Sequence, residues 1–236
     1  MKRFILVSYC SHKDIDYLKS FYTKDDFIVA IDQGTKLLIE NDIIPDLIVG
    51  DFDSFNPKDI TFPTIYTSGK ISFKRDGLTK IIKLNQDKDE TDLEFAIKEI
   101  IKQKIDNYEI IIINDLQGRT DHSLAVLGLL QLQFKKDKKI LMSIRNNNQE
   151  IFLSKGSFKR DVVINQTVSL IPISAKVKNI YTQGLLYRLE NQTLFRKNSK
   201  GVSNKTLDKK IEINFSAGEL LIVINRGILY GFYEDR

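Results

Sequence analysis

The sequence predicts an α/β protein with two parts. Residues 1–145 read as a mostly parallel α/β/α (Rossmann-like) domain, and residues 146–236 as an antiparallel β-sandwich or barrel domain. Three observations predict this. Up to about residue 145, short apolar runs alternate with amphipathic stretches, the pattern of a parallel sheet covered by helices. Four consecutive isoleucines, Ile110–Ile113, suit a strand buried on both faces. After residue 145 the helical period disappears, and short β-rich runs follow, separated by Gly, Asn, Ser and Lys.

In chain order, Phe4–Val7 and Phe27–Ile31 read as strands, and Thr35–Glu40 as a helix. Leu47–Val49 is a short apolar run ending at Gly50, and Ile81–Leu84 is a weaker strand. Thr91 and Glu94 form a Thr-x-x-Glu capping box, so a helix starts there. Its apolar positions are Leu93, Ile97, Ile100, Ile101 and Ile105. Glu109–Ile113 is the buried strand. A second helix begins around Thr120–His122 and runs through Leu124, Leu127, Leu130 and Phe134 to the strand Ile140–Ile144. The linker Arg145–Gln149, with three consecutive asparagines, marks a boundary. Beyond it, Ile151–Leu153, Val162–Ile164, Val168–Ile171, Leu185–Leu189, Ile211–Phe215 and Leu220–Ile224 are the expected strands.

Composition narrows the function classes. The 236 residues carry 36 Lys plus Arg against 31 Asp plus Glu, a net charge of +5. Such a mild excess helps to attract nucleotides and does not mark a nucleic-acid binder. With one cysteine, Cys10, and two histidines, His12 and His122, neither a disulfide framework nor a Cys- or His-based metal site is expected. The apolar run near the N-terminus is too short for a signal h-region or a membrane span, so the expected location is cytoplasmic.

Open α/β sheets bind ligands beyond the carboxyl ends of their strands. Those ends carry acids here. Asp32 follows Phe27–Ile31, Asp51 and Asp53 follow Gly50, Asp92 sits at a helix N-terminus, and Asp121 follows the isoleucine strand. Converging carboxylates repel, so either some keep their protons or a cation sits among them. An all-oxygen ligand set selects a hard cation, Mg²⁺ before zinc. Asp51 and Asp53, two apart on an extended loop, are placed to share one. Arg119 supplies charge for phosphate oxygens, and the helix starts at Thr91 and Thr120 offer backbone N–H groups. Each motif also has a plainer reading: Asp51–Asp53 as an Asx-turn, Thr91 and Asp121 as capping groups. Their common position at one sheet edge favours a site. No P-loop motif is present. Asp87-x-Asp89 fails as an EF-hand loop, because Asp92 and Lys98 stand where Gly and Glu are required.

In four blocks the residues resemble the thiamine pyrophosphokinase family. Ile31-Asp32-Gln33-Gly34 is similar to an Ala-Asp-Gly-Gly turn. Pro45-Asp46-Leu47-Ile48-Val49-Gly50-Asp51-Phe52-Asp53-Ser54 is the most specific block. Lys88-Asp89-Glu90-Thr91-Asp92 resembles a Lys-Asp-x-Thr-Asp block, and Gly118-Arg119-Thr120-Asp121-His122 a Gly-Arg-x-Asp-His block. Gly184-Leu185-Leu186-Tyr187 and Gly201-Val202-Ser203-Asn204 resemble the family's vitamin-binding β domain. The chain departs from the pattern at Gln33, at Asn114–Gln117 and at Leu186, and it has no Trp. Any aromatic stacking on the vitamin must therefore use Tyr or Phe.

The resemblance implies transfer of the pyrophosphoryl group of ATP to the hydroxyl of thiamine, giving thiamine diphosphate and AMP. It implies Mg²⁺ on Asp51, Asp53 and Asp92, with Arg119 and Asp121 completing the catalytic set. Asp32, Gln33, Ser54, Lys88, Asp89, Thr91 and His122 would face the nucleotide, and Ser203 and Asn204 the vitamin. It also implies a homodimer with the vitamin at the subunit interface, and no nucleic-acid or membrane partner. Two alternatives stand beside it. One is a pyrophosphokinase acting on a pterin alcohol. The other is a haloacid-dehalogenase-type phosphatase using Asp87-x-Asp89-x-Thr91.

Overall fold

The computed structural model describes residues 1–53, 60–67, 73, 77–103, 105, 107–135 and 138–227. Two compact units are seen, Met1–Asn146 and Asn147–Arg236.

The first unit contains strands β1 (Lys2–Val7), β2 (Phe27–Ile31), β3 (Leu47–Gly50), β4 (Thr64–Tyr66), β5 (Thr79–Lys83), β6 (Asn107–Ile113) and β7 (Lys139–Arg145). Helices α1 (His12–Lys19), α2 (Gly34–Glu40), α3 (Asp92–Ile101) and α4 (Thr120–Leu129) lie between them in sequence, and a 3₁₀ turn (Leu130–Gln133) follows α4. The strands run β7-β6-β1-β2-β3-β5-β4, all parallel. β1 and β6 form the centre: Phe4–Val7 and Ile110–Ile113 are fully buried, as a two-face strand requires. Parallel strands all end on the same side, so the segments after β1, β2, β3 and β6 share one rim.

Two contacts set how the chain leaves these strands. A Cβ on Gly34 would lie 2.1 Å from the Val7 carbonyl oxygen, so α2 can start against the end of β1 only with glycine there. Helix α3 is capped as its sequence predicts, with Thr91 Oγ1 accepting from the Glu94 N–H at 3.2 Å. Helix α1 and strand β4 were not expected from the sequence. The start of α1 carries its own signal: the Asp14 carboxylate accepts from the Ser11 N–H at 2.7 Å and the Ser11 hydroxyl at 2.6 Å.

The second unit is all antiparallel. One set of strands runs β13 (Asn204–Lys205), β10 (Thr167–Pro172), β15 (Leu220–Asn225), β8 (Gln149–Ser154). The other runs β12 (Gln192–Phe195), β11 (Lys176–Gln183), β14 (Lys210–Asn214), β9 (Ser157–Asp161). Phe152, Val168, Leu170, Ile222 and Ile224 from the first set share one core with Val177, Ile180, Leu194, Ile211 and Ile213 from the second. This is sandwich packing.

Two expected strands are corrected. Val162–Ile164 is not a strand: β9 ends at Asp161, and a turn with Asn165 in the left-handed region follows. Leu185–Leu189 is an irregular segment that, among the described residues, makes a single bridge, Leu185 to Thr206. Its leucines 185 and 189 still enter the core, which is why it looked like a strand. The real neighbour, β11, was not expected. Its pairing shifts register between Val177 and Ile180, and Asn179 is left-handed, so its buried positions break the period of two.

Ile111→Ala removes most of a side chain at 0% exposure in the central strand. We expect it to lower unfolding stability by about 2–5 kcal/mol, read by denaturant titration followed by far-UV circular dichroism, with native secondary structure retained in buffer.

Candidate active site

Three carboxylates converge at the rim of the parallel sheet. One oxygen from each of Asp32, Asp51 and Asp92 lies within 4.8 Å of the others. Each arrives from a different element. Asp32 is the first residue after β2 and takes a left-handed backbone, φ 46°. Its N–H donates to the Val49 carbonyl at 3.1 Å, and its own carbonyl accepts from the Thr35 N–H at 3.0 Å, which ties the turn to β3 and α2. Asp51 is the first residue after β3. Asp92 opens α3 and is buried, where the helix N-terminus favours its negative charge.

Gly50 is what allows Asp32 into this corner, because a Cβ there would lie 2.6 Å from Asp32 Oδ1. That oxygen is buried and has no hydrogen-bond partner. The Asp32 carboxyl is pushed up to about 8, first by burial, then by hydrogen bonding with Asp92 and by the charges of Asp92 and Asp51, against the opposing charge of Lys88. Lys88 Nζ is paired with Asp92 Oδ1. Thr35, fully buried next to this turn, also has a hydroxyl without a partner.

Asp53 stands apart from the convergent oxygens. It is exposed, and its N–H donates to Asp51 Oδ1 at 3.1 Å, the Asx-turn geometry. Phe52 between them is left-handed, φ 63°, a conformation that a bulky residue rarely adopts. The sequence grouped Asp51, Asp53 and Asp92; the structure brings Asp32 to Asp51 and Asp92. Gly50 and Thr35 were not singled out as site residues. The Gly50-Asp51 junction was visible in the sequence, but the close approach of Asp32 to it is a property of the β2–β3 register.

The other candidates fall on three places. Lys88 and Thr91 flank Asp92; Asp89 is exposed, and Thr91 caps α3. Gln33 is exposed at the start of α2. Arg119, Asp121 and His122 are all exposed at the start of α4. There Arg119 grips Asp121, with Nη2 to Oδ2 at 2.6 Å and Nε to Oδ1 at 3.2 Å. The guanidinium holds the Asp121 carboxyl below its usual range, which makes Asp121 a weaker base. Ser54 lies outside the described residues.

In the second unit Ser203 is exposed and left-handed, φ 60°. Its N–H donates to Ser169 Oγ at 3.0 Å. Asn204 is buried, and its amide is committed to the backbone. Oδ1 accepts from the Tyr187 N–H at 2.9 Å and the Lys205 N–H at 2.8 Å, while Nδ2 donates to the Tyr187 carbonyl at 2.7 Å. Asn204 therefore anchors the 185–189 segment, leaving the Tyr187 side chain 67% exposed.

Comparison with known proteins follows this division. Residues 18–142 match the family model "Thiamin pyrophosphokinase, catalytic domain", and residues 157–220 match "Thiamin pyrophosphokinase, vitamin B1 binding domain". A thiamine pyrophosphokinase of Bacillus subtilis is 26% identical over 196 residues, covering 83% of this chain and 85% of its own. The crystal structure of thiamine pyrophosphokinase from Bacillus subtilis superposes with a TM-score of 0.78 at 20% identity, covering 96% of this chain and 100% of that one. The thiamin pyrophosphokinase from Candida albicans gives 0.73 at 21% identity, covering 95% and 88%.

The raised Asp32 carboxyl sets the sign of a pH effect. Without a divalent cation, the folded protein keeps this proton up to about pH 8, whereas the unfolded chain releases it near its ordinary value of 3.8. The contribution is fully present below that lower value and is lost as pH rises towards the upper one. In EDTA, the melting temperature of the wild type should fall relative to Asp32→Asn between about pH 4 and pH 8 and run parallel to it above. Parallel curves throughout would show that Asp32 is ionised in the fold.

Proposed function

The chain belongs to the thiamin pyrophosphokinase family, and from that premise we propose that it transfers the pyrophosphoryl group of ATP to the hydroxyl of thiamine. The thiamine oxygen bonds to the β-phosphorus, the bridge to the α-phosphate breaks, and AMP leaves with the bridging oxygen. The hydroxyl proton goes to solvent or to a nearby carboxylate. Such transfers depend on positioning and charge neutralisation more than on covalent help from the protein. The observation that carries this reading is the triad of Asp32, Asp51 and Asp92 at the rim of the unit matched by the catalytic-domain model.

The triad fits Mg²⁺. Its donors are all carboxylate oxygens, they lie within 4.8 Å of one another, and the buried Asp32 Oδ1 lacks any partner. Bound there, the ion would neutralise phosphate charge during transfer. Asp32, Asp51 and Asp92 would hold it, and Asp53 lies next in the same turn. Arg119, exposed beside Asp121, is available to phosphate oxygens. Asp121 orients the acceptor hydroxyl in this reading, a task that does not require a strong base. Gln33, Lys88, Asp89, Thr91 and His122 are assigned to the nucleotide.

The vitamin is assigned to Ser203 and the segment that Asn204 anchors. In a protein without tryptophan, exposed Tyr187 is the aromatic surface offered there. A homodimer is supported by the exposed apolar character of α4. Its sequence, TDHSLAVLGL, is mostly apolar, yet no residue of it is buried, and Leu124 is 63% exposed. No described helix is long and apolar enough to cross a membrane.

The vitamin B1 domain match favours thiamine over a pterin alcohol. A dehalogenase-type nucleophile must directly follow a strand, whereas β5 ends at Lys83 and Asp87 is exposed beyond it.

Incubation with ATP, Mg²⁺ and thiamine should yield AMP and thiamine diphosphate, resolved by chromatography. ADP with thiamine monophosphate would refute the proposed bond cleavage. Asp51→Asn should lower kcat by roughly 100-fold or more with an unchanged circular dichroism spectrum.

A further inference from the structure

Lys88 is in an unusual place for a cation. It lies just before the cap of α3, at the helix end whose partial positive charge disfavours ammonium groups. The other lysines of this helix obey the rule or sit in solvent. Lys98 lies in its last turn and pairs with Glu90 and Glu94, and Lys102 pairs with Glu99 just beyond its end. Lys88 instead turns inward. Its Nζ donates to Asp92 Oδ1, with the two side chains only 20% and 7% exposed. Its charge also acts on Asp32, the member of the triad with a buried, unpartnered oxygen. The ammonium thus sits on an oxygen of the very carboxylate that a divalent ion would use.

We propose that Lys88 is the internal counter-ion of the Asp32–Asp51–Asp92 triad, competing with a divalent cation for Asp92 and becoming available to phosphate only when displaced. The inference rests on the reading of the triad as a cation site and adds a role to Lys88 beyond nucleotide contact. Its chemistry is simple exchange. The three carboxylates carry at most three negative charges, and one ammonium offsets only part of that. An ammonium on Asp92 and a hard dication bound to the same carboxylate repel at short range, so each weakens the other's hold on it. The lysine stem is flexible and carries no fixed geometry, so the ammonium can leave Asp92 without moving the backbone. Metal entry and phosphate capture are thereby coupled: the event that fills the triad also frees a cation beside it.

The test is Mn²⁺ binding to the full-length protein without nucleotide, followed by electron paramagnetic resonance, with Lys88→Met against wild type. Removal of the competitor should tighten Mn²⁺ binding by ~10-fold or more. The same variant in EDTA should melt at a lower temperature than wild type, because Asp92 loses its partner, and should gain more than wild type when Mn²⁺ is added. Unchanged or weaker Mn²⁺ binding in Lys88→Met would overturn the proposal and leave Lys88 as a nucleotide contact only. Lys88→Gln gives the same reading should Lys88→Met fail to fold. Asp92→Asn separates the two levels of argument: if wild-type Mn²⁺ affinity survives that change, the triad is not the cation site and the functional reading fails first.

Discussion

Mutual repulsion among Asp32, Asp51 and Asp92 is the constraint that the first unit is built to withstand. Two unit charges ~5 Å apart at an effective dielectric of ~20 repel by roughly 3 kcal/mol, and without a cation that repulsion is relieved by the proton that Asp32 keeps and by Lys88 on Asp92. Here each carboxylate is attached to something that cannot drift. Asp32 is tied to β3 through the Val49 carbonyl and to α2 through the Thr35 N–H. Asp51 follows a strand paired on both sides, to β2 and to β5. Asp92 is fixed by the first turn of a capped helix. Strands β1 and β6, in which Phe4–Val7 and Ile110–Ile113 are fully buried, lie beyond β2 in the same sheet. Their packing gives the rim a rigid base.

That arrangement explains why glycine stands at position 50. A methyl group there would press on Asp32 Oδ1, so the close approach of the two acids and the absence of a side chain between them are one feature. It also explains the left-handed residues at 32 and 52, on either side of the β3 rim. Sharp backbone reversals directly after strands keep the carboxylates near the strand ends. Strain of this kind persists where the surroundings over-determine it, and here the parallel register does so.

Much of the fold was legible because burial on two faces leaves a plain mark. Ile110–Ile113 and Phe27–Ile31 read as strands and are strands. The Thr91 cap was visible because capping chemistry is local. What the sequence hid was non-local or irregular. β11 was missed because its bulge at Asn179 breaks the alternation, and Leu185–Leu189 looked like a strand because core leucines need no ladder. For the site, the acids and their shared rim were legible, but which of them bring their oxygens together was not. Asp51 and Asp53 share a loop, and their spacing alone predicts a shared cation. Asp32 is the one whose oxygen meets Asp51 and Asp92, and that depends on the register Ile31 to Val49, which no local pattern encodes.

Asn204 illustrates how a motif residue can be committed to the fold itself. A Ser-Asn pair invites the reading that both side chains contact the vitamin, yet the Asn204 amide is fully engaged with the backbone of Tyr187 and Lys205. Three hydrogen bonds from one buried side chain fix the segment that carries Tyr187, and an irregular segment with no ladder of its own needs such an anchor. Recognition of a flat heteroaromatic ring demands a surface whose position is set before binding, since ordering a loop at that moment weakens affinity. The Asn204 amide and the buried Leu185 and Leu189 provide that order on either side of Tyr187. In the proposed reading the motif supplies a prepared surface: Ser203 is left open to solvent, and Asn204 holds the Tyr187 segment in place.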